Sequence, residues 1–254
     1  MEVISSYVSE QLFFILFFFI CGSIFGSFLN CLAMRIADHE DFISSRSHCE
    51  SCDHDLGFID LIPIVSYLCL KGRCRYCGAR LSPSYPLTEV FLGIVFVLTY
   101  LRYQRSCILL IFDLSLFCIV FGLSLIDMRS YIIPDGFIGA GVLNWFIRSL
   151  FTGFEYGNIA SAFLLSLSII LLSMIMNKVN GKENFGGGDI KLIFMAVLYT
   201  GLMKGVLLLF LSSVLGLFGI WISRNKKIPF GPYISFALFL VLLYGDLMFE
   251  TIFL

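Results

Sequence analysis

Hydrophobic positions along this 254-residue chain fall in long apolar stretches, and the charged residues gather between them. The stretches lie at about 11–34, 87–101, 106–126, 135–154, 158–176, 190–203, 205–223 and 229–249. They predict about eight membrane-spanning helices, although several fall short of the roughly 20 residues a straight span needs. The fourth stretch is the weakest, because it contains Asn144 and Arg148. Arg148 lies near its end and is expected to reach back to the interface. The first stretch follows Glu2 and Glu10 and is too long for the apolar core of a cleavable leader, so it is expected to remain as a span. One polar island, residues 35–86, interrupts the series.

Composition agrees with the pattern. The chain is 59% hydrophobic and 14% charged, with a mean hydropathy of +0.93, whereas soluble domains carry about 25% charged residues. The fold class is therefore all-α: a polytopic membrane helix bundle with one small polar module. The expected division is 1–34 as a first span, 35–86 as the module and 87–254 as the remaining bundle. A net charge of -1 gives no footprint for nucleic acid, so membrane lipid is the expected surroundings and no nucleic-acid partner is expected.

The placement of basic residues orients the chain. With the N-terminus outside, 13 of the 17 Lys and Arg residues fall on inner loops: Arg35, Arg46, Lys71, Arg73, Arg75, Arg80, Arg129, Lys178, Lys182, Lys191, Arg224, Lys226 and Lys227. Arg102, Arg105, Arg148 and Lys204 remain outside. The positive-inside rule selects this orientation and puts the 35–86 island in the cytoplasm.

The island contains two CxxC pairs, Cys49/Cys52 and Cys74/Cys77, with 21 residues between them. Four thiolates in two tight pairs suit a structural, tetrahedral zinc ion. Two disulfides are the alternative, but a cytoplasmic island is reducing and disfavours them. Zinc would also replace the core that a module of this size lacks. Gly78 follows the second pair, where a knuckle turn often needs a positive φ. His48 and His54 flank the first pair and are not needed as ligands. Cys21, Cys31, Cys69, Cys107 and Cys118 read as small apolar residues.

Two aspartates stand at inner ends of spans. Asp127 closes the third span in "LSLIDMRSYIIPDG", and Asp189 opens the sixth in "NFGGGDIKLIFMAV". Orientation was chosen from Lys and Arg alone, yet both carboxyls come out on the same face. A cap or a solvated helix end would explain either one singly. As a pair, they can share one proton and carry out acid–base hydrolysis of a peptide without a covalent intermediate. Gly186 and Gly188 leave room for close backbone approach beside Asp189. Helix-end charges assign Asp189 as the ionised base and Asp127 as the protonated acid. Asp135 rivals Asp127 but follows Pro134, as a residue at a helix start does.

"GGGD" fits the G-x-G-D motif of intramembrane aspartyl proteases, and more of the chain resembles the prepilin peptidases among them. "GSFLNCLAMR" resembles that family's opening signature. "RSHCESCDHDLGFIDLIPIVSYLCLKGRCRYCGARLSPSYPLTE" resembles its cytoplasmic cysteine domain. "IDMRSYIIPD" and "GGGDIKL" resemble its two aspartate motifs, with the four in order over residues 22–195. The resemblance implies a multi-pass enzyme of the bacterial inner membrane whose active site faces the cytoplasm. It implies cleavage of the short basic leader of type IV prepilins or type II secretion pseudopilins, followed by N-methylation of the new N-terminus with S-adenosylmethionine. It places catalysis on Asp127 and Asp189. No loop typical of S-adenosylmethionine binding stands out, so methyl transfer comes from the resemblance alone. Glu89, opening the second span, is a candidate substrate contact, or else a carboxylate favoured by its helix N-terminus. Two other classes compete. A transporter could use Asp113 within the third span, and a scaffold could use the island as a docking module. Neither accounts for the cysteines and the glycine–aspartate motif together.

Overall fold

The computed structural model describes residues 2–38, 47–180, 186–223 and 228–253. Arg46, Lys182, Arg224, Lys226 and Lys227, counted above for orientation, lie outside the described residues. The chain is helical throughout its apolar stretches: α1 (Glu2–Ala37), α2 (Val65–Cys69), α3 (Ser84–Arg102), α4 (Cys107–Ser130), α5 (Asp135–Thr152), α6 (Tyr156–Asn180), α7 (Gly187–Ser223) and α8 (Gly231–Phe253). The short α2 is preceded by a 3-10 turn at Phe58–Leu61.

Among the described residues, six helices are long and apolar enough to cross a membrane: α1, α3, α4, α6, α7 and α8. The chain is a multi-pass membrane protein. The count differs from eight for two physical reasons. First, the stretches at 190–203 and 205–223 form one helical element, interrupted at Gly201 (φ 70°, ψ −170°). An unbroken helix of 37 residues would be roughly 55 Å long, far more than an apolar layer about 30 Å thick. Gly201 adopts backbone angles essentially restricted to glycine, and a Cβ there would press on the Asn158 side chain.

Second, α5 is not apolar enough to count as a span, and the structure shows why its polar residues are tolerated. Asn144 donates to the Phe112 carbonyl (3.3 Å) and to Ser115 Oγ, and accepts from the Tyr199 hydroxyl (3.1 Å). Arg148 Nε lies 3.7 Å from Asp113 Oδ1, with its guanidinium over the Tyr199 ring. Arg148 thus turns inward to a buried carboxylate instead of reaching for the interface. Asp113 has a counter-ion beside it, which removes the main sign of a transported-cation site.

Contacts group the chain into two compact units, Met1–Leu110 and Ile111–Leu254. In the first, α1 and α3 meet through glycines. A Cβ on Gly22 would fall 2.6 Å from the Leu92 carbonyl, one on Gly26 2.9 Å from that of Thr88, and one on Gly93 2.8 Å from Ser23. Small residues four apart are how membrane helices approach closely when apolar contact alone distinguishes no partner. In the second unit, α7 packs against α5, α6 and α8, and Phe117 of α4 meets Phe239 of α8 edge-on at 5.1 Å.

Candidate active site and metal centre

Within the second unit, a cleft of about 570 Å³ is lined by Asp127, Asp189 and the Gly186–Gly188 backbone, with walls from Tyr131–Asp135 and Ile228–Phe230. Asp127 ends α4 as a buried carboxyl. Asp189 occupies the first turn of α7. The two carboxyls thus line the same cleft.

The glycines beside Asp189 differ in what surrounds them. A Cβ on Gly188 would come 2.9 Å from Ile133 Cβ, and one on Gly186 3.1 Å from Asp189 Oδ2, whereas Gly187 faces open space. The spacing G-x-G-D therefore follows from available volume: the outer glycines are crowded and the middle position is free.

Asp127 has a partner that sequence reasoning missed. Gly231 N–H, at the start of α8, donates to Asp127 Oδ2 at 2.9 Å. A Cβ at Gly231 would lie 2.7 Å from that oxygen, so only glycine admits the carboxyl there. The local signal was Gly231-Pro232, since proline is favoured at a helix start. This contact weakens the assignment of acid and base from helix ends. Asp127 lies near the C-terminal end of α4 but also faces the N-terminus of α8, as Asp189 sits in that of α7, so the macrodipoles separate them less than the helix ends alone suggest. Lys191 does not decide the matter either, because its Nζ pairs with Asp135 Oδ1 at 2.6 Å. Asp135 itself is exposed, in the first turn of α5, and lines the same cleft.

Glu89 belongs to the first unit. Its Oε2 accepts the Ile64 N–H at 2.6 Å, and Ser27 also hydrogen-bonds to it. It is buried, and these partners give it a structural role, holding the segment before α2 against α3.

The four cysteines of the island converge. The Sγ atoms of Cys49, Cys52, Cys74 and Cys77 all lie within 4.8 Å of one another, with Cys49 and Cys77 at 3.9 Å. A tetrahedral ion with metal–sulfur bonds of about 2.3 Å needs sulfurs roughly 3.8 Å apart, so the donor set fits a metal. The two pairs fold alike. Cys49 N–H donates to the His54 carbonyl and Asp53 N–H to the Cys49 carbonyl; Cys74 N–H donates to the Ala79 carbonyl and Gly78 N–H to the Cys74 carbonyl. Each turn closes with a positive φ directly after its second cysteine, 53° at Asp53 and 73° at Gly78. Aspartate tolerates that region better than most residues.

Two of the thiols are shifted in opposite directions. Backbone N–H groups of Cys77 and Tyr76 draw the Cys74 thiol down to about 7. The Cys52 thiol is pushed up to about 12: the His54 N–H favours its thiolate, but desolvation and the crowding of Cys77 and Cys49 outweigh it. A bound cation would favour the thiolate form of these ligands.

A helical, multi-pass membrane protein with two carboxyls at one cleft and a four-cysteine module is the class that fold and geometry define. Residues 20–103 match the bacterial peptidase A24 N-terminal domain, and residues 114–221 match the type IV leader peptidase family. The two matches fall one on each structural unit. The chain is similar to a prepilin leader peptidase/N-methyltransferase of Pseudomonas putida, 31% identical over 268 residues, covering 93% of each chain. A protein of the same name from Bacillus subtilis is 31% identical over 244 residues, covering 90% of this chain and 93% of its own. That of Aeromonas salmonicida is 29% identical over 262 residues, covering 90% of each. No solved structure matches. The chain belongs to the type IV leader peptidase family, and it is a membrane protease.

Proposed function

We propose that this protein removes the short basic leader from type IV prepilins or type II secretion pseudopilins by aspartyl acid–base hydrolysis, at the cytoplasmic face of the bacterial inner membrane. The observation that carries the reading is the presence of Asp127 and Asp189 on one cleft. Like charges on one cleft disfavour each other's ionisation, so the mechanism starts from a pair that holds one proton. The ionised carboxyl takes a proton from water, whose oxygen attacks the scissile carbonyl carbon. The other carboxyl gives its proton to the carbonyl oxygen. As the tetrahedral species collapses, the C–N bond breaks and the proton taken from water passes to the leaving amine. The Gly231 N–H obliges Asp127 Oδ2 to be an acceptor, so the shared proton lies on Asp127 Oδ1 or on Asp189. The open backbone at Gly187 is the place for an extended peptide to lie alongside.

N-methylation of the new terminal amine by S-adenosylmethionine is proposed as the second activity, on the names its relatives carry. Purified protein in lipid, mixed with a prepilin, is expected to shorten it by the leader. With S-adenosylmethionine present, the mature product is expected to gain one methyl group in its mass. An intact prepilin after prolonged incubation overturns the peptidase reading.

We assign zinc to the four-cysteine site as a structural ion, with residues 35–86 as the module it holds and the transmembrane helices as the peptidase bundle. Metal binding and folding are coupled in such modules. Elemental analysis is expected to find about one zinc per chain. Chelation is expected to accelerate proteolysis between residues 47 and 83, and Cys74→Ser to lose the metal. A zinc-free protein with two intact disulfides in the mass spectrum would remove the assignment.

A further inference from the structure

The segment between the two cysteine pairs carries a surface that neither catalysis nor metal binding uses. Phe58, Ile59, Leu61, Ile62, Val65 and Leu68 are all exposed, Phe58 to 87% and Leu68 to 67%. These six lie within eleven consecutive residues, 58–68. Only one residue of that segment is charged, Asp60, and it points inward with a side chain 6% exposed.

The surface is pinned at two points. Asp60 Oδ1 accepts from Arg75 Nε at 2.7 Å, and its Oδ2 from Tyr76 Oη and Gly57 N–H, each at 3.2 Å. Burial opposes its charge, but these partners hold the carboxyl below the usual range. The apolar turn is thereby tied to the second cysteine knuckle. In its middle, Ile64 holds φ at 63°, an uncommon conformation for a β-branched residue. Its N–H is accepted by Glu89, and Glu89 is the sixth residue of a membrane-spanning helix that starts at Ser84. One turn and a half of α3 is roughly 8 Å, so Ile64 sits beside the first turns of that span.

We propose that Phe58–Leu68 is an interfacial segment that seats the cysteine module in the lipid surface. The occupant is lipid because the segment is fastened near the start of a membrane-spanning helix. Lys71, Arg73, Arg75 and Arg80 follow it and are all exposed. Apolar residues with basic neighbours are the composition that lies in an anionic leaflet. Seating fixes the module's height relative to the bilayer. The inference rests on the membrane fold and not on the peptidase reading.

Depth-dependent quenching tests it in the full-length protein. With Trp145 and Trp221 replaced by Phe, a single reporter is introduced as Phe58→Trp or, should that variant fold poorly, Leu68→Trp. Ser51→Trp, in the exposed first knuckle, serves as the solvent reference, and Phe17→Trp, on the exposed face of α1, as the lipid reference. Nanodiscs of phosphatidylethanolamine and phosphatidylglycerol with brominated acyl chains are expected to quench residues 58 and 68 nearly as much as residue 17. Quenching of residues 58 and 68 no greater than that of residue 51 overturns the proposal. So does an unquenched signal that changes only when prepilin is added, which would make the surface a substrate site. No cleavage is read, so this result and a failure of the peptidase reading are independent.

Discussion

Asp127→Asn and Asp189→Asn are each expected to lower the rate of leader cleavage by on the order of 10²–10⁴-fold, the range over which a positioned acid or base acts. Each change keeps size and shape while removing the ability to hold or release the proton. In Asp127→Asn the introduced amide oxygen can still accept the Gly231 N–H, so α8 keeps its contact and insertion and melting should stay normal. Because the two carboxyls share one proton, the double variant should be little worse than either single one. Near wild-type cleavage by either single variant would end the dyad assignment. Asp135→Asn is the informative control: Asp135 is exposed and already paired with Lys191, so cleavage should persist. Its loss there alone would move the dyad to Asp135.

Gly231→Ala is expected to cost about 10²-fold in kcat, the scale at which misplacing a reacting group by about 1 Å acts. The new methyl would stand 2.7 Å from Asp127 Oδ2 and 3.3 Å from its Cγ. Either the carboxyl turns away from the cleft or the first turn of α8 retreats, and the 2.9 Å hydrogen bond is lost in both cases. Leader binding does not depend on that methyl, so KM should change less than kcat. Gly139→Ala in α5, where nothing lies within 4 Å of the added carbon, should behave as wild type. Unimpaired turnover by Gly231→Ala would show that Asp127 needs no positioning from α8.

Much of this protein was legible in its sequence, because the features concerned are local. A membrane helix satisfies its own backbone, so an apolar run of sufficient length declares itself without reference to its neighbours. All eight apolar stretches are helical, including the two joined through Gly201. Two CxxC pairs predict their own turns, and the four sulfurs need only the module between them to meet. The like-sided placement of Asp127 and Asp189 also followed from charge counting along the chain.

Tertiary structure decided the partnerships. Arg148 was expected at the interface, but a buried Asp113 on another helix makes an inward ion pair the better refuge for its charge. Glu89 looked like a substrate contact or a helix-start charge, and packing adds a partner that no local pattern named, the N–H of the strained Ile64. The contact between Asp127 and Gly231 joins residues 104 positions apart, and no local pattern encodes which helix start will meet which helix end. In lipid, apolar side chains do not choose among neighbouring helices. Glycine-sized gaps and a few hydrogen bonds make that choice, and they exist only once the helices have packed.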